Sequence, residues 1–403
     1  MTTTLPPLDL ASRMQRLGTE TAFEVLARAK AMEAEGRDVI HLEIGEPDFD
    51  TPVNVVEAAV RALREGWTHY GPAAGLPQTR QAVADYVGRT RGVEVAPDEV
   101  VVVPGGKPTM FYAMLALVEE GDEVLYPNPG FPIYESMIQF SGGTAVPLPM
   151  REENAFALTA EDVAERLTER TKMVVLNSPG NPTGGVVDRA RLEAILGVLA
   201  DRPDVWILSD EIYSRLIYDG LEHASPLSYP DFRDRVILLD GWSKTYAMTG
   251  WRLGFGVMRP DLAALFAKLM VNSNSCTASF SQIAAIEALA GDQTPVEEMK
   301  AEFDRRRRRI VELLDAMPGV RCHLPEGAFY VFPNVSAFGL PAKELQDRIL
   351  DETGVACLAG TSFGEYGEGY LRFSYANSLE KIEEAMQRVG DFFARLPRQG
   401  AEA

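Results

Sequence analysis

The sequence predicts an α/β protein: a large domain with a mainly parallel sheet covered by helices, plus a smaller α/β C-terminal domain. Three observations carry this. At 403 residues the chain is too long for one small core. From about residue 97, short apolar stretches alternate with helical ones, the pattern of a parallel sheet covered on both faces. Beyond residue 259, two helical stretches and a long charged helix intervene before a second set of strands begins.

Composition sets the outer bounds. Apolar residues make up 46% of the chain and charged residues 24%, as in ordinary soluble globular proteins. Lys and Arg number 39 against 59 Asp and Glu, a net charge of −20 that repels nucleic acid and anionic membranes. The arginine run 305–309 lies where Phe303, Ile310 and Leu314 recur at helical spacing, and Glu302 and Asp304 stand four residues before Arg306 and Arg308. It predicts a long helix with a solvated charged face rather than a nucleic-acid site. Cys276, Cys322 and Cys357 are odd in number and lack CxxC spacing, which implies reduced thiols and no zinc site. His41, His69, His223 and His323 are scattered, so no metal is expected. The N-terminal residues carry no targeting pattern and no apolar run is long enough to span a bilayer, so cytoplasmic residence is the expectation.

In chain order, residues 1–18 read as an arm. A helix follows from Thr21-Ala-Phe-Glu24, a capping-box pattern, with Val25, Leu26, Ala29 and Met32 on one face and a stop at Gly36. The loop Glu43-Ile-Gly45-Glu-Pro-Asp-Phe-Asp-Thr51-Pro52 leads into a second helix, with Thr51 as cap and Pro52 in the first position. His69-Tyr70-Gly-Pro-Ala-Ala-Gly75 is turn-rich and then helical. Strands are expected at 99–103, 123–126, 172–177, 205–209, 236–240 and 253–258, and in the smaller domain at 320–324, 328–332, 355–358 and 370–374. Helices are expected at 109–118, 261–269, 279–290, 295–316, 341–352 and 378–395.

Ligands of such sheets bind outside the carboxyl ends of the strands, and the chemically interesting residues fall there. Pro104-Gly105-Gly106-Lys107-Pro108 precedes a helix, so its backbone N–H groups suit an oxyanion. Asn181, in the strand-end loop Asn177-Ser-Pro-Gly-Asn181-Pro-Thr-Gly184, offers an amide donor. Asp210 ends an apolar strand, where a carboxylate needs a cationic partner or serves as a helix cap. Lys244 sits between two apolar strands, and desolvation there lowers the pKa and frees the amine to attack an aldehyde. Arg252, eight residues on (252 − 244), is a permanent cation that suits phosphate. Arg372, inside the apolar strand Tyr370-Leu-Arg372-Phe-Ser-Tyr375, must be paired, and its planar fork fits a carboxylate.

The stretch Ser243-Lys244-Thr-Tyr-Ala-Met-Thr-Gly-Trp-Arg252-Leu-Gly254 closely resembles the pyridoxal-phosphate lysine signature of class I aminotransferases, in the I-gamma group that includes prokaryotic aspartate aminotransferases. From about residue 20 the other markers follow in the same order as in that family. The resemblance implies a fold-type-I pyridoxal 5′-phosphate enzyme of amino-acid metabolism and biosynthesis, acting as a cytosolic homodimer. It implies an arm and helix at 1–45 packed with the small domain, a large cofactor-binding domain at 46–293 and a small domain at 294–403. Lys244 then forms the Schiff base and shuttles the proton, Asp210 pairs with the ring nitrogen, and Tyr213 hydrogen-bonds the ring's phenolic oxygen; these three are the catalytic residues. Gly105, Gly106, Lys107, Ser243, Arg252 and Tyr70 hold the cofactor phosphate, Tyr70 reaching in from the neighbouring subunit. Phe131 matches an aromatic residue stacked on the ring, with core packing as its other reading. Asn181 contacts the ring oxygen and the substrate, Arg372 holds the substrate α-carboxylate, and Gly45 lies against the substrate or is a plain turn glycine. One departure from the family is Gly241, three residues before the lysine (244 − 241), where many relatives have a phosphate-binding serine.

Transfer of an amino group from an L-amino acid to a 2-oxo acid is the expected reaction. The alternatives are a non-transaminating enzyme on the same scaffold, an amino-acid oxidase, β/γ-lyase or cyclase, and a catalytically silent binding protein. Two residues pull the side-chain preference apart. Phe131 stands where aspartate-specific relatives usually have tryptophan, and it lacks the indole donor. Lys107 corresponds to a lysine that contacts the distal carboxylate in some I-gamma aspartate enzymes.

Overall fold

The structure is a computed structural model and describes residues 8–398. The arm expected at 1–18 and the last residues of the small domain expected at 294–403 therefore lie partly outside the described residues.

The chain opens with α1 (Thr21–Ala34), β1 (Ile40–His41), α2 (Val53–Arg64) and α3 (Pro77–Arg91). The alternating part runs β2 (Val100–Val103), α4 (Lys107–Leu117), β3 (Glu123–Asn128), α5 (Ile133–Ser141), β4 (Thr144–Pro149), α6 (Ala160–Arg166), β5 (Thr171–Asn177), α7 (Arg189–Leu199), β6 (Trp206–Asp210), β7 (Val236–Gly241) and β8 (Gly254–Val257). Three helices follow, α8 (Pro260–Ser273), α9 (Ser279–Ala290) and α10 (Thr294–Asp315). The chain ends with β9 (Tyr330–Val331), α11 (Ala342–Thr353), β10 (Val355–Ala356), β11 (Leu358–Ala359), β12 (Leu371–Ser374) and α12 (Leu379–Ala394).

Among the described residues the large sheet has seven strands in the order β2-β8-β7-β6-β5-β3-β4. β8 pairs antiparallel with both its neighbours, and the other pairs are parallel. Side chains alternate between faces along each strand. Val100, Val102, Val174, Leu176, Ile207 and Leu238 enter one buried cluster, whereas Val101, Val103, Val175, Leu208, Ile237 and Leu239 enter another on the opposite face. This is the two-sided burial expected of a mainly parallel sheet covered by helices. The C-terminal elements build a third core, with Phe303, Ile310, Phe329, Phe373 and Phe392 at its centre. Val25, Ala29 and Met32 of α1 pack against Leu350, Ala356, Leu358 and Phe363 of that C-terminal part. β1 pairs parallel with β10, from the same part. No helix among the described residues is long and apolar enough to cross a membrane.

Local expectations are corrected at several points. β4 was not among the expected strands; Pro147 and Pro149 lie in it, and it is an edge strand, where a missing N–H is tolerated. The stretch 320–324 forms only an isolated bridge, Arg321 to Asn334. The Cys322 N–H is taken by the Asp315 carboxylate at 2.8 Å, and Pro325 follows without a donor. The strand expected at 355–358 splits at Cys357, because β10 pairs with β1 and β11 with β12. Thr51 does not cap α2: its hydroxyl donates to Ala247 O at 2.7 Å and accepts from Trp251 Nε1 at 2.9 Å, and Pro52 takes the cap position. At α1 the cap position belongs to Glu20, and Thr21 is already helical. The arginine run is not wholly solvated. Arg307 is fully buried, bonded to Pro325 O and Asp219 at 2.7 Å each, while Arg306 pairs with Asp48 at 2.7 Å.

Candidate active site

The site forms where β5, β6 and β7 end. Asn177 and Asp210 are register partners across β5 and β6, and Asp210 pairs with Leu239 of β7. The chain leaves β7 at Gly241 and reaches Lys244 three residues later (244 − 241). Asn177 ties the adjoining loop down, its Oδ1 accepting the Asn181 N–H at 3.0 Å and its Nδ2 donating to Asp210 O at 3.2 Å.

Lys244 is half-buried, and its amine donates to the Gly45 carbonyl. The Nζ atom lies 5.8 Å from the centre of the Phe329 ring and 6.0 Å from that of Tyr213. Burial drives its pKa down to about 8, with Glu46 opposing and Arg372 assisting. Arg372 is buried on β12. It donates to Asn181 Oδ1 at 3.1 Å and to the Glu43 carbonyl, and its guanidinium lies 4.5 Å from the Tyr330 ring centre and 4.8 Å from that of Phe363. Its Nε–H is buried without a partner among the described residues. Gly45 must be glycine, since a Cβ there would fall 2.1 Å from the Tyr330 hydroxyl.

Asp210 is buried at the end of β6. Its Oδ2 accepts the Tyr134 hydroxyl at 2.6 Å and its Oδ1 the Ile212 N–H at 3.2 Å, both neutral donors. Burial outweighs these bonds and pushes the carboxyl up to about 6. Tyr213 shares a hydrogen bond of 2.7 Å with Tyr330, and burial holds its phenol well above the usual range.

Arg252 has a positive φ of 55°, and its Nη1 donates to Thr249 O at 2.8 Å. Its guanidinium lies against Gly105, also at positive φ, so closely that a Cβ there would fall 2.2 Å from Nη2. Gly106 precedes α4, and a Cβ on it would come within 3.1 Å of a Leu239 methyl. Ser243 is buried, its carbonyl accepting the Met248 N–H at 3.1 Å. Two residues depart from this group. The Lys107 ammonium pairs with Glu20 and lies 5.5 Å from the centre of the Phe131 ring. Tyr70 is 91% exposed and is not brought to the other residues within this one chain.

Tyr134, Tyr330, Glu43 and Glu20 were missed in the sequence. Tyr134 had a signal, standing one helical turn after Phe131, with the two rings edge to face at 5.7 Å. Tyr330 lay unremarked in the strand expected at 328–332, and Glu43 contributes through a backbone carbonyl, which no side-chain pattern announces. A buried charged network on the far side was missed as well. Arg91 donates to Glu211 at 2.9 Å and to Asp240 at 2.8 Å, and His223 is 2.7 Å from Glu211. Burial pushes the Glu211 carboxyl up, but His223 and Arg91 outweigh it and hold the group at about 2.

The family described as aminotransferase class I and II matches residues 37–389. An aspartate aminotransferase of Pyrococcus horikoshii is 41% identical over 382 residues, 94% of this chain and 96% of that one. The crystal structure of the aspartate aminotransferase from Rhizobium meliloti superposes with a TM-score of 0.93 at 35% identity, covering 97% of this chain and all of that one. An aromatic aminotransferase from Pyrococcus horikoshii superposes with a TM-score of 0.87 at 38% identity, covering 91% of this chain and 98% of the other.

Proposed function

This chain belongs to the class I and II aminotransferases, and we propose that the residues around Lys244 are its active site. It is a pyridoxal-phosphate-dependent enzyme that transfers an amino group from an amino acid to a 2-oxo acid. No finding favours a non-transaminating reaction.

The residues fit the cofactor on three observations. A buried carboxylate, Asp210, has only neutral hydrogen-bond donors. A cation, Arg252, lies over Gly105 close to the N-terminus of α4. A lysine amine is brought to a pKa of about 8, so that roughly a tenth of it is free base at pH 7, against less than a thousandth for an ordinary lysine. When bound, pyridoxal phosphate supplies an aldehyde carbon that takes up amines and a protonated ring that draws electrons from the substrate Cα.

In this reading Lys244 holds the cofactor and then moves the proton at the substrate Cα. Asp210 keeps the proton on the ring nitrogen, and Tyr134 keeps Asp210 oriented and ionised. Tyr213 donates to the ring's phenolic oxygen, Phe131 orients the ring by stacking, and Asn181 contacts both the ring oxygen and the substrate. Arg252, Ser243 and the backbone N–H groups of Gly105, Gly106 and Lys107 bind the phosphate. Arg372 binds the α-carboxylate, and Gly45 leaves room for the substrate. The carrying observation is that Lys244 and Arg372 donate to carbonyls two residues apart in one loop, Gly45 and Glu43. A substrate carboxylate is an anionic acceptor that Arg372 takes in place of the Glu43 carbonyl, and the Arg372 Nε–H has no other partner among the described residues.

We also propose a division into residues 1–45 with 294–403, and 46–293, supported by the packing of α1 on the C-terminal elements. The protein works as a cytoplasmic homodimer in which Tyr70 of one subunit completes the phosphate site of the other. Support for the dimer is the exposure of Tyr70, 91% in a single chain. Three free cysteines fit a reducing compartment.

The test is a panel of amino acids with pyruvate or 2-oxoglutarate, scoring new amino acid, keto acid, ammonia and peroxide. New amino acid equal to keto acid is expected. Ammonia or peroxide without new amino acid would contradict the reading.

A further inference from the structure

Glu20 occupies the cap position of α1 yet makes no side-chain bond to its helix, although a carboxylate there is normally favourable. Its partner is instead the Lys107 ammonium at the start of α4. α1 packs on the C-terminal elements and α4 on the large sheet, so the pair joins the two sides of the site at its mouth. The chain just before Glu20 is held as well, the Gly18 N–H donating to Ser136 Oγ of α5 at 2.9 Å. Glu20 is 17% exposed and Lys107 43%, and the Lys107 ammonium lies over the Phe131 ring. The Glu20 charge reaches inward to Lys244, Arg372 and Tyr330.

We propose that Glu20 is a specificity-determining residue: its carboxylate occupies Lys107, the cation an acidic substrate side chain would use, and so turns the enzyme toward amino acids with neutral side chains. This rests on the reading that seats the substrate between Arg372 and Lys244. In that reading the other cations there are committed elsewhere, Arg372 to the α-carboxylate, Lys244 to the cofactor and Arg252, against Gly105, to the phosphate. An aspartate or glutamate side chain must therefore displace Glu20 and leave that carboxylate without its partner, in a partly dewatered mouth where like charges repel. A neutral side chain leaves the pair intact. The phenyl ring of Phe131 offers an acidic group no donor in compensation.

The experiment uses the holoenzyme with pyruvate as common acceptor and aspartate, glutamate, leucine and phenylalanine as donors. Wild type should favour the neutral donors. Glu20→Gln, which keeps shape and removes charge, should raise kcat/KM for the acidic donors by about tenfold, mainly through KM, and move the neutral donors by less than about threefold. Adding Lys107→Met should abolish the gain. Binding of succinate, a non-reacting dicarboxylate, read from the cofactor's absorbance, should tighten in Glu20→Gln while butyrate binding does not. Glu20→Ala carries the same expectation should the glutamine variant fold poorly. An acidic-to-neutral ratio that does not rise, or equal tightening of succinate and butyrate, overturns the proposal. Arg372→Lys separates it from the underlying reading: if that variant fails to weaken all donors alike, the placement of the substrate is wrong whatever Glu20 does.

Discussion

Asp210 and Tyr134 face each other across the floor of the site, phenol to carboxylate at 2.6 Å. Asp210 sits at about 6 because burial outweighs that bond. Its task of keeping a ring nitrogen protonated needs the carboxylate form.

Asp210→Asn should still bind pyridoxal phosphate but lose most of its turnover, about 3 kcal/mol or more in barrier, as for other preorganised electrostatic contacts. Steady-state rates near wild type would contradict the assignment.

Tyr134→Phe removes a bond that lowers the Asp210 pKa. The group then protonates at higher pH, so the acid limb of the kcat/KM profile should move upward in pH, with the alkaline limb unchanged. An acid limb that stays in place would separate Tyr134 from Asp210.

Lys244 has a folded pKa of about 8 against an ordinary 10.5, so between these values the unfolded chain binds more protons and stability rises with pH. Below pH 8 the folded, cofactor-free protein carries the whole penalty of a poorly solvated cation. Lys244→Met without cofactor should therefore be more stable than wild type at pH 7, by about 2 kcal/mol, and the difference should shrink toward pH 10. Denaturant melts showing the variant less stable at pH 7 would contradict this.

Arg91→Met leaves Asp240 buried without its cation and Glu211 with His223 alone. The expected loss is about 3–5 kcal/mol of stability, read by thermal melts. The Glu211 pKa is depressed, so its contribution is present above the ordinary carboxylate range and is lost as pH falls toward about 2.

What the sequence made legible was local. Lys244, Asp210, Asn181 and the Gly105–Gly106 pair stand at strand ends, where apolar periodicity and glycine turns mark them within a few residues. Glu20, Glu43 and Tyr330 reach the site through pairings of 87 residues for Lys107, 329 for Arg372 and 117 for Tyr213, which no local pattern carries. One local inference failed for the same reason: charge argued for solvent at Arg307, whose partners Asp219 and Pro325 stand 88 and 18 residues away.

The most direct test of the account is to reduce the holoenzyme with borohydride and map the fixed cofactor by mass spectrometry of its peptides. The adduct should lie on Lys244, in the peptide between Arg235 and Arg252. An adduct on another lysine, or none in a protein that still transaminates, would contradict it.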